Sequence, residues 1–268
     1  MEINRSNILE IVNKSNAKPD KDYGQNFLIE PEICKKIVSL LEIDEKDNVL
    51  EIGPGLGSLT NFLCQTSAKI TAVDIDRKMI DFLKLSLCDY SNVTLINNDI
   101  RKVPVEPYNK AVANLPYNIT TETIVYLLRN AINATKIVLM CQSETFAHFN
   151  DISGKEYGPV SVLIHLVGSI KKAFVVKAGS FYPVPKCHST VFIIDLDRKN
   201  DFKQAIKTYE IAKQLFLNRR KTILNNLTNY LGSKERAIEV LEKLNISQNT
   251  RPEEIKPEQY YALSQIID

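Results

Sequence analysis

The sequence has few of the features that mark metal centres, disulfide frameworks or membrane proteins. Its five cysteines are widely spaced and form no Cys-x-x-Cys pair, which argues against a disulfide framework and against a zinc site. No apolar run approaches the ~18 residues that a membrane span needs, and the N-terminal segment lacks the uninterrupted apolar core of a signal peptide. We therefore expect a cytoplasmic protein with reduced thiols, no bound metal and no membrane partner.

An excess of charge of one sign is also lacking. Lys and Arg number 34 against 32 Asp and Glu, which gives a net charge of +2 and a pI of about 8.1. This balance is compatible with a nucleic-acid partner but does not require one. The 268 residues, 44% of them hydrophobic, suffice for one large domain with a small one, or for two of medium size.

Short apolar segments alternate with helical patterns through the first two-thirds of the chain. The predicted strands are NVLEIG, KITAVDID, VTLINND, KAVANLPY and KIVLMCQ. The helical patterns between them are SLTNFLCQTS, KMIDFLKLSLCDY and TTETIVYLLRNAI. Strands and helices that alternate at this spacing predict a parallel sheet with crossover helices.

The pattern changes after residue 160. One more helix is followed there by two predicted strands joined by a proline-rich turn, and two late strands of this kind often close a parallel sheet with an antiparallel edge. From about residue 199 only helical periodicity remains. We predict two domains: residues 1–197 carry the sheet, and residues 198–268 form a small all-helical domain.

A glycine-rich turn, GPGLG at residues 53–57, follows the first of these strands and opens a helix. Glycines such as Gly53 and Gly55 let the backbone approach a ligand, and the helix N-terminus offers free N–H groups. The spacing is Gly-x-Gly-x-Gly rather than the six-residue fingerprint of NAD-binding folds, and Glu51 lies two positions before the turn. A carboxylate there suits a cation, such as the amino group or sulfonium of S-adenosylmethionine. The alternatives are an NAD site and a turn without a ligand.

Acidic residues also follow the second and third strands. Asp74 lies seventeen residues after Gly57, close to the spacing of ~20 at which an acidic residue meets ribose hydroxyls in such folds. Asp76 is predicted to cap the next helix instead. Asp99 follows the third strand, where its carboxylate can accept a hydrogen bond from an adenine amino group; a simple turn residue is the alternative.

The stretch NLPYNI, residues 114–119, follows the fourth strand. Pro116 ends the ladder because it has no N–H to donate, so Asn114 and Tyr117 lie at the sheet edge where open α/β folds bind ligands. If the ligand at this edge is a methyl donor and the substrate an adenine, the adenine amino group is the nucleophile. It is a poor one, because its lone pair is delocalised into the ring. Hydrogen bonds from it to the Asn114 side-chain carbonyl and to the backbone carbonyl of Leu115 or Pro116 would favour the pyramidal nitrogen of a transition state. Tyr117 offers a ring for stacking; a turn asparagine with a core tyrosine is the alternative.

These strand ends together resemble class I (Rossmann-like) methyltransferases that use S-adenosylmethionine. NLPY resembles the N/D-P-P-Y/F signature of amino-methyltransferases, with Leu115 in place of the first proline, a variant typical of the rRNA adenine N6,N6-dimethyltransferases. Four further segments are similar to that family: GQNFL before the first helix, SFYPVPKCHS with Cys187 where valine is usual, NRRKTILNNL and RPEEIKPEQYYAL. The resemblance runs from about residue 20 to the C-terminus.

The resemblance implies a fold, a cofactor and further site residues. The fold would be the seven-stranded α/β sheet of a class I methyltransferase with a small helical C-terminal domain, and the cofactor would be S-adenosylmethionine. Asn26 and the Leu28 backbone would contact this methyl donor, and Asn114 would face it. Phe181 would stack on the face of the target adenine opposite Tyr117.

The RRKT and EEIKPEQYYAL segments resemble one branch of this family, which dimethylates two adjacent adenosines near the 3′ end of small-subunit (16S) rRNA in ribosome biogenesis. The implied partner is rRNA in an assembling ribosomal particle, bound by a monomer. The alternatives are a large-subunit (23S) rRNA dimethyltransferase of macrolide resistance and a non-catalytic RNA-binding or transcription-accessory relative. A DNA adenine methyltransferase would need a target-recognition domain, for which the helical tail is a poor candidate.

Basic residues are the candidates for contacts with rRNA phosphates. Arg219, Arg220 and Lys221 are predicted on a C-terminal helix, where they would bind RNA with steep salt dependence. A merely solvated basic face is the alternative. The charges before the GQNFL segment are mixed, which weakens the expectation of a basic N-terminal arm on the rRNA.

Overall fold

The computed structural model describes residues 2–14, 19, 24–115, 119–198 and 200–267. The predicted site residues Pro116 and Tyr117 lie outside these ranges. Within the described part of the chain, no helix is long and apolar enough to cross a membrane. The chain divides into two compact units, Met1–Ser143 with Lys171–Asp195, and Glu144–Ile170 with Leu196–Asp268.

Strands and helices alternate in the first unit, and helices dominate the second. The strands are β1 (Phe27–Leu28), β2 (Asn48–Ile52), β3 (Lys69–Asp74), β4 (Val93–Asn97), β5 (Lys110–Asn114), β6 (Lys136–Gln142), β7 (Gly168–Val176), β8 (Phe181–Tyr182) and β9 (Ser189–Leu196). The α-helices are α1 (Ile8–Lys14), α2 (Pro31–Ser39), α3 (Thr60–Leu63), α4 (Arg77–Ser86), α5 (Thr120–Asn130), α6 (Ser143–Asn150), α7 (Pro159–Val167), α8 (Phe202–Phe216), α9 (Ile223–Leu231), α10 (Lys234–Lys243) and α11 (Pro257–Ile266). Every strand predicted from the sequence is present, whereas α1, β1, β8 and α6 have no counterpart in the prediction.

The central sheet of the described residues has seven strands in the order β4-β3-β2-β5-β6-β9-β7. The ladders from β4 through β6 are parallel, and β9 runs antiparallel to β6. The carboxyl ends of β2 to β5 therefore meet at one edge. Chain order reverses on the two sides of β2, the position at which such sheets bind ligands. The predicted α/β fold, a parallel sheet with a late antiparallel strand, is confirmed.

Apolar strands covered by helices hold this sheet rigid. β6 is buried over residues 137–141, a continuous run that is typical of strands covered on both faces. Val49 of β2 and Val112 of β5 belong to one core cluster with Ile37 of α2 and Phe181 of β8. A rigid core of this kind fixes the strand ends and hence the side chains that follow them.

Helices α7 to α11 belong to the second unit. α7 is apolar on nearly all sides, is buried along most of its length, and packs against α8 and α11. Between α8 and α11, the Thr208 hydroxyl lies 2.6 Å from that of Ser264. Residues 144–170 thus group with the C-terminal helices, whereas the sequence-based boundary placed them with the sheet. The division into functional domains at residue 197 stays a prediction.

Candidate functional site

A cavity opens at the carboxyl edge of the sheet in the first unit. Its walls are the ends of β2, β3 and β5, the segments that follow β2, β3 and β4, the segment before α2 and the start of α5. Nine of the predicted site residues line this cavity, namely Asn26, Leu28, Glu51, Gly53, Gly55, Asp74, Asp99, Asn114 and Leu115. The structure brings these residues together, and what each of them does there stays a prediction.

The glycine turn forms one wall of the cavity. Gly53 and Gly55 have φ angles of 67° and 54°, in the left-handed region that favours glycine. A Cβ atom on Gly55 would lie 3.0 Å from the Phe27 ring, closer than side-chain carbons pack. The Gly55 N–H donates to Asp74 Oδ2 at 3.1 Å. The turn is thus held against β3 with its backbone facing the cavity.

Glu51 is a buried carboxyl at the end of β2. It is 1% exposed, and its Oε2 has no hydrogen-bond partner among the described residues. Burial, with repulsion from Asp74, raises the pKa of Glu51 from 4.5 to about 8. An unpartnered carboxyl oxygen is costly to bury, so it favours a ligand that brings a donor or a positive charge. This environment fits the amino group or sulfonium of S-adenosylmethionine.

Asp74 is the second buried carboxyl of the cavity. Its Oδ1 accepts the Asp76 N–H at 2.9 Å, while Oδ2 accepts that of Gly55. Burial raises the pKa of Asp74 from 3.8 to about 6, although these N–H groups favour the charged form. Asp76 caps α4 by accepting the Lys78 N–H at 2.9 Å, as its sequence position predicts. The structure thus distinguishes a cavity carboxyl from a helix cap two residues away.

Asp99 follows β4, the third of the predicted strands, and forms an ion pair that the sequence analysis did not predict. The Arg101 guanidinium holds its carboxylate with Nη2 at 2.6 Å from Oδ2, and this hydrogen bonding keeps the pKa of Asp99 below its usual value. Arg101 Nη1 also lies 2.9 Å from Glu122 Oε2, at the start of α5. Both residues line the cavity. In the sequence they are indistinguishable from ordinary surface charges, so no local pattern could have identified them.

Asn114 is oriented by a contact between distant parts of the chain. Its Nδ2 donates to the Asn26 backbone carbonyl at 3.0 Å. Because a carbonyl only accepts, this contact identifies the amide nitrogen and leaves Oδ1 as the acceptor of the side chain. Asn26 itself donates from Nδ2 to the Gly24 carbonyl, and the Leu28 carbonyl accepts the Ser58 hydroxyl at 2.7 Å. Asn114 at the end of β5 and Asn26 of the GQNFL segment are therefore joined at the cavity.

Tyr117 and Phe181 are the two predicted stacking contacts of the target base. Tyr117 and Pro116 lie outside the described residues. Phe181 is described, and the expectation that its ring stacks on the target adenine stays a prediction. Its side chain is 1% exposed in the core cluster, where β8 pairs with β1, and it does not line the cavity. An aromatic ring packed on all sides cannot stack on a base unless it leaves the core.

The basic segment of the second unit lies in a turn rather than on a helix. α8 ends at Phe216 and Thr222 caps α9, so residues 219–221 fall between them. Arg219 Nε donates to Glu253 Oε2 at 2.8 Å, and its Nη2 donates to the Lys155 carbonyl at 2.7 Å. These partners give Arg219 a structural task, whereas Arg220 and Lys221 are exposed.

Fold and site together define a class of protein. A parallel sheet with a chain reversal at β2, a Gly-x-Gly-x-Gly turn and buried carboxyls at two strand ends are the features of a class I S-adenosylmethionine-dependent methyltransferase. The model of the ribosomal RNA adenine dimethylase family matches residues 15–268, and the chain belongs to this family. The chain is thus an rRNA adenine methyltransferase with S-adenosylmethionine as its methyl donor.

Relatives and a solved structure resemble the chain over most of its length. It is 35% identical to Ribosomal RNA small subunit methyltransferase A of Streptococcus sanguinis strain SK36, over 92% of this chain and 91% of the relative. It is 36% identical to the protein of the same name from Malacoplasma penetrans strain HF-2, over 94% and 93%. The crystal structure of a dimethyladenosine transferase from Plasmodium falciparum matches with a TM-score of 0.76 at 24% identity, covering 88% of this chain and 95% of that one. This last likeness concerns the fold.

Proposed function

We propose that this protein transfers methyl groups from S-adenosylmethionine to the N6 atoms of two adjacent adenosines near the 3′ end of small-subunit rRNA. The observation that carries the proposal is the cavity in which Glu51, Asp74, Asp99 and Asn114 converge beside the glycine turn. The small-subunit target is supported by relatives of that name at 35% and 36% identity. We further infer that the protein acts in the cytoplasm as a monomer on an assembling particle.

Residues of the first unit would hold the donor. Glu51 would receive its cationic part, because an unpartnered buried carboxyl oxygen gains most from a positive charge. Asp74 would accept a hydrogen bond from a ribose hydroxyl, and Asp99 one from the adenine amino group. Gly53 and Gly55, which their positive φ angles favour at these positions, would let the backbone approach the donor because they have no Cβ. When bound, the donor supplies an electrophilic methyl group.

Asn114 would act on the target amine. Its Nδ2 donates to the Asn26 carbonyl, so Oδ1 would accept a hydrogen bond from the amino group of the target adenine. A second acceptor would be the backbone carbonyl of Leu115 or Pro116. Two such acceptors favour the pyramidal nitrogen over the planar ground state, which makes the lone pair available to an electrophile. The methylated amine loses its extra proton readily, so no strong base is required.

Contacts to RNA would use stacking and charge. Tyr117 would stack on the target adenine, by resemblance to the family signature. The base must be unstacked or already in a loop to reach such a cavity. Arg220 and Lys221 are exposed and would contact phosphates, and we remove Arg219 from this group because Glu253 and a backbone carbonyl already hold it.

The test is methyl transfer from labelled S-adenosylmethionine to ribosomal subunits that lack these modifications, with small and large particles run separately. We expect label on the small subunit. The rate of methyl transfer should fall at least 100-fold in Asn114→Ala and should be unchanged in Asn133→Ala. Asn133 is a matched control because it is exposed and lies before β6, at the opposite edge of the sheet. Label on the large subunit would move the target to that particle. No label on either, with the donor still bound, would indicate a non-catalytic relative.

A further inference from the structure

We propose that Arg101 is a positioning residue that fixes the Asp99 carboxylate as the acceptor of the donor's adenine amino group. The inference rests on the proposed function, because it needs the adenine of the donor at Asp99. Arg101 itself is assigned no contact with the reacting atoms. Its task is to set the direction and the charge of the group that recognises the base.

The geometry of the pair carries this inference. Asp99 Oδ1 accepts the Arg101 backbone N–H at 2.9 Å and the Nε–H at 3.0 Å, while Oδ2 accepts Nη2–H at 2.6 Å and shares the Nε–H at 3.1 Å. A carboxylate offers about four acceptor sites, so three N–H groups of one residue leave about one for a ligand. A planar two-pronged donor also restricts the rotation of the carboxylate, which a single-point ammonium does not. Asp99 therefore presents one remaining acceptor in one direction.

A second carboxylate holds the guanidinium from the other side. Arg101 Nη1 lies 2.9 Å from Glu122 Oε2, in the first turn of α5. The side chain thus spans from the end of β4 to the helix that follows the NLPYNI segment, and all three residues line the cavity. The Arg101 side chain is 53% exposed, and exposed ion pairs contribute little to stability. A structural role alone does not account for a guanidinium fork placed at the cavity wall, whereas an orienting role does.

The experiment uses calorimetric titration to compare the affinities of the protein for two ligands. One is S-adenosylhomocysteine, and the other is its analogue with hydrogen in place of the 6-amino group. We expect the unaltered protein to prefer the amino compound by about tenfold, which corresponds to one hydrogen bond to a charged acceptor. Arg101→Gln should weaken binding of the amino compound about tenfold and leave the analogue unchanged, so that the preference disappears. Arg101→Lys should lose most of it too, because lysine keeps the charge but not the fork.

Lys102→Gln is the matched control, because Lys102 is the neighbouring exposed cation of the same turn. This variant should keep the full preference for the amino compound. An unchanged preference in Arg101→Gln, or a full preference in Arg101→Lys, would overturn the inference. Equal weakening of both compounds in Arg101→Gln would also overturn it, because it would indicate a general structural effect. If the unaltered protein binds neither compound, the donor site of the proposed function fails with it. Equal binding of both by the unaltered protein overturns this inference alone.

Discussion

The burial of Glu51 has a measurable consequence for stability. Its pKa is raised from 4.5 to about 8, so the donor-free folded protein holds a proton that the unfolded chain releases near pH 4.5. The stabilisation from this group is fully present below about pH 4.5 and is lost as the pH rises to about 8. Because Glu51 becomes half ionised by pH 8, the loss between pH 6.5 and 8 amounts to about 1.2 pH units at 1.36 kcal/mol each, or about 1.6 kcal/mol. In a chain of this size that is on the order of 5 °C in Tm.

Glu51→Gln removes the proton exchange and keeps the shape of the side chain. We expect the Tm of the unaltered, donor-free protein to fall between pH 6.5 and 8 by about 5 °C more than that of the variant. Differential scanning calorimetry over this pH range measures the difference. Glu45→Gln, which makes the same change at an exposed position, should behave like the unaltered protein. Parallel pH profiles for Glu51→Gln and the unaltered protein would refute the reasoning.

The same proton governs donor binding. A cation favours the ionised carboxylate, and with a pKa of about 8 roughly a tenth of Glu51 is ionised at pH 7. We therefore expect the affinity of the unaltered protein for S-adenosylmethionine, divided by that of Glu51→Gln, to rise up to about tenfold between pH 7 and 9. Taking the ratio removes the titration of the donor itself. A ratio independent of pH would indicate that Glu51 does not receive the positive charge.

Three further substitutions separate the roles assigned to other residues. Gly55→Ala should cost about 1–3 kcal/mol of stability, measured by denaturation, because a φ of 54° strains a residue with a Cβ and that Cβ would lie 3.0 Å from the Phe27 ring. The same change should weaken donor binding, and retained affinity would contradict a close backbone approach. Charge reversal of Arg220 and Lys221 together should weaken particle binding steeply at low salt and leave donor affinity intact, and equal loss of both affinities would oppose the assignment. Arg219→Ala should instead lower the Tm, since it leaves Glu253 without its partner, and an unchanged Tm would return Arg219 to the RNA-binding candidates.

The sequence by itself determined the sheet and the residues at its edge. Strands with continuous apolar runs and helices with 3.6-residue periodicity are local signals, so β2 to β6 and their crossover helices were readable. The position of Asp76 one residue before α4 was enough to identify a helix cap. Parallel strands must end at a common edge, and that rule alone brought Glu51, Asp74, Asp99 and Asn114 towards one place.

Tertiary structure decided what surrounds those residues. The burial of Phe181, the grouping of residues 144–170 with the C-terminal helices and the ion pair of Arg101 with Glu122 leave no trace in local periodicity. The contact of Asn114 with Asn26 joins residues 88 positions apart and selects which amide atom is left to accept. Partners, burial and pKa depend on which distant side chains share a small volume. Residues adjacent in sequence do not show which distant side chains become neighbours, because those contacts form only when the sheet is assembled.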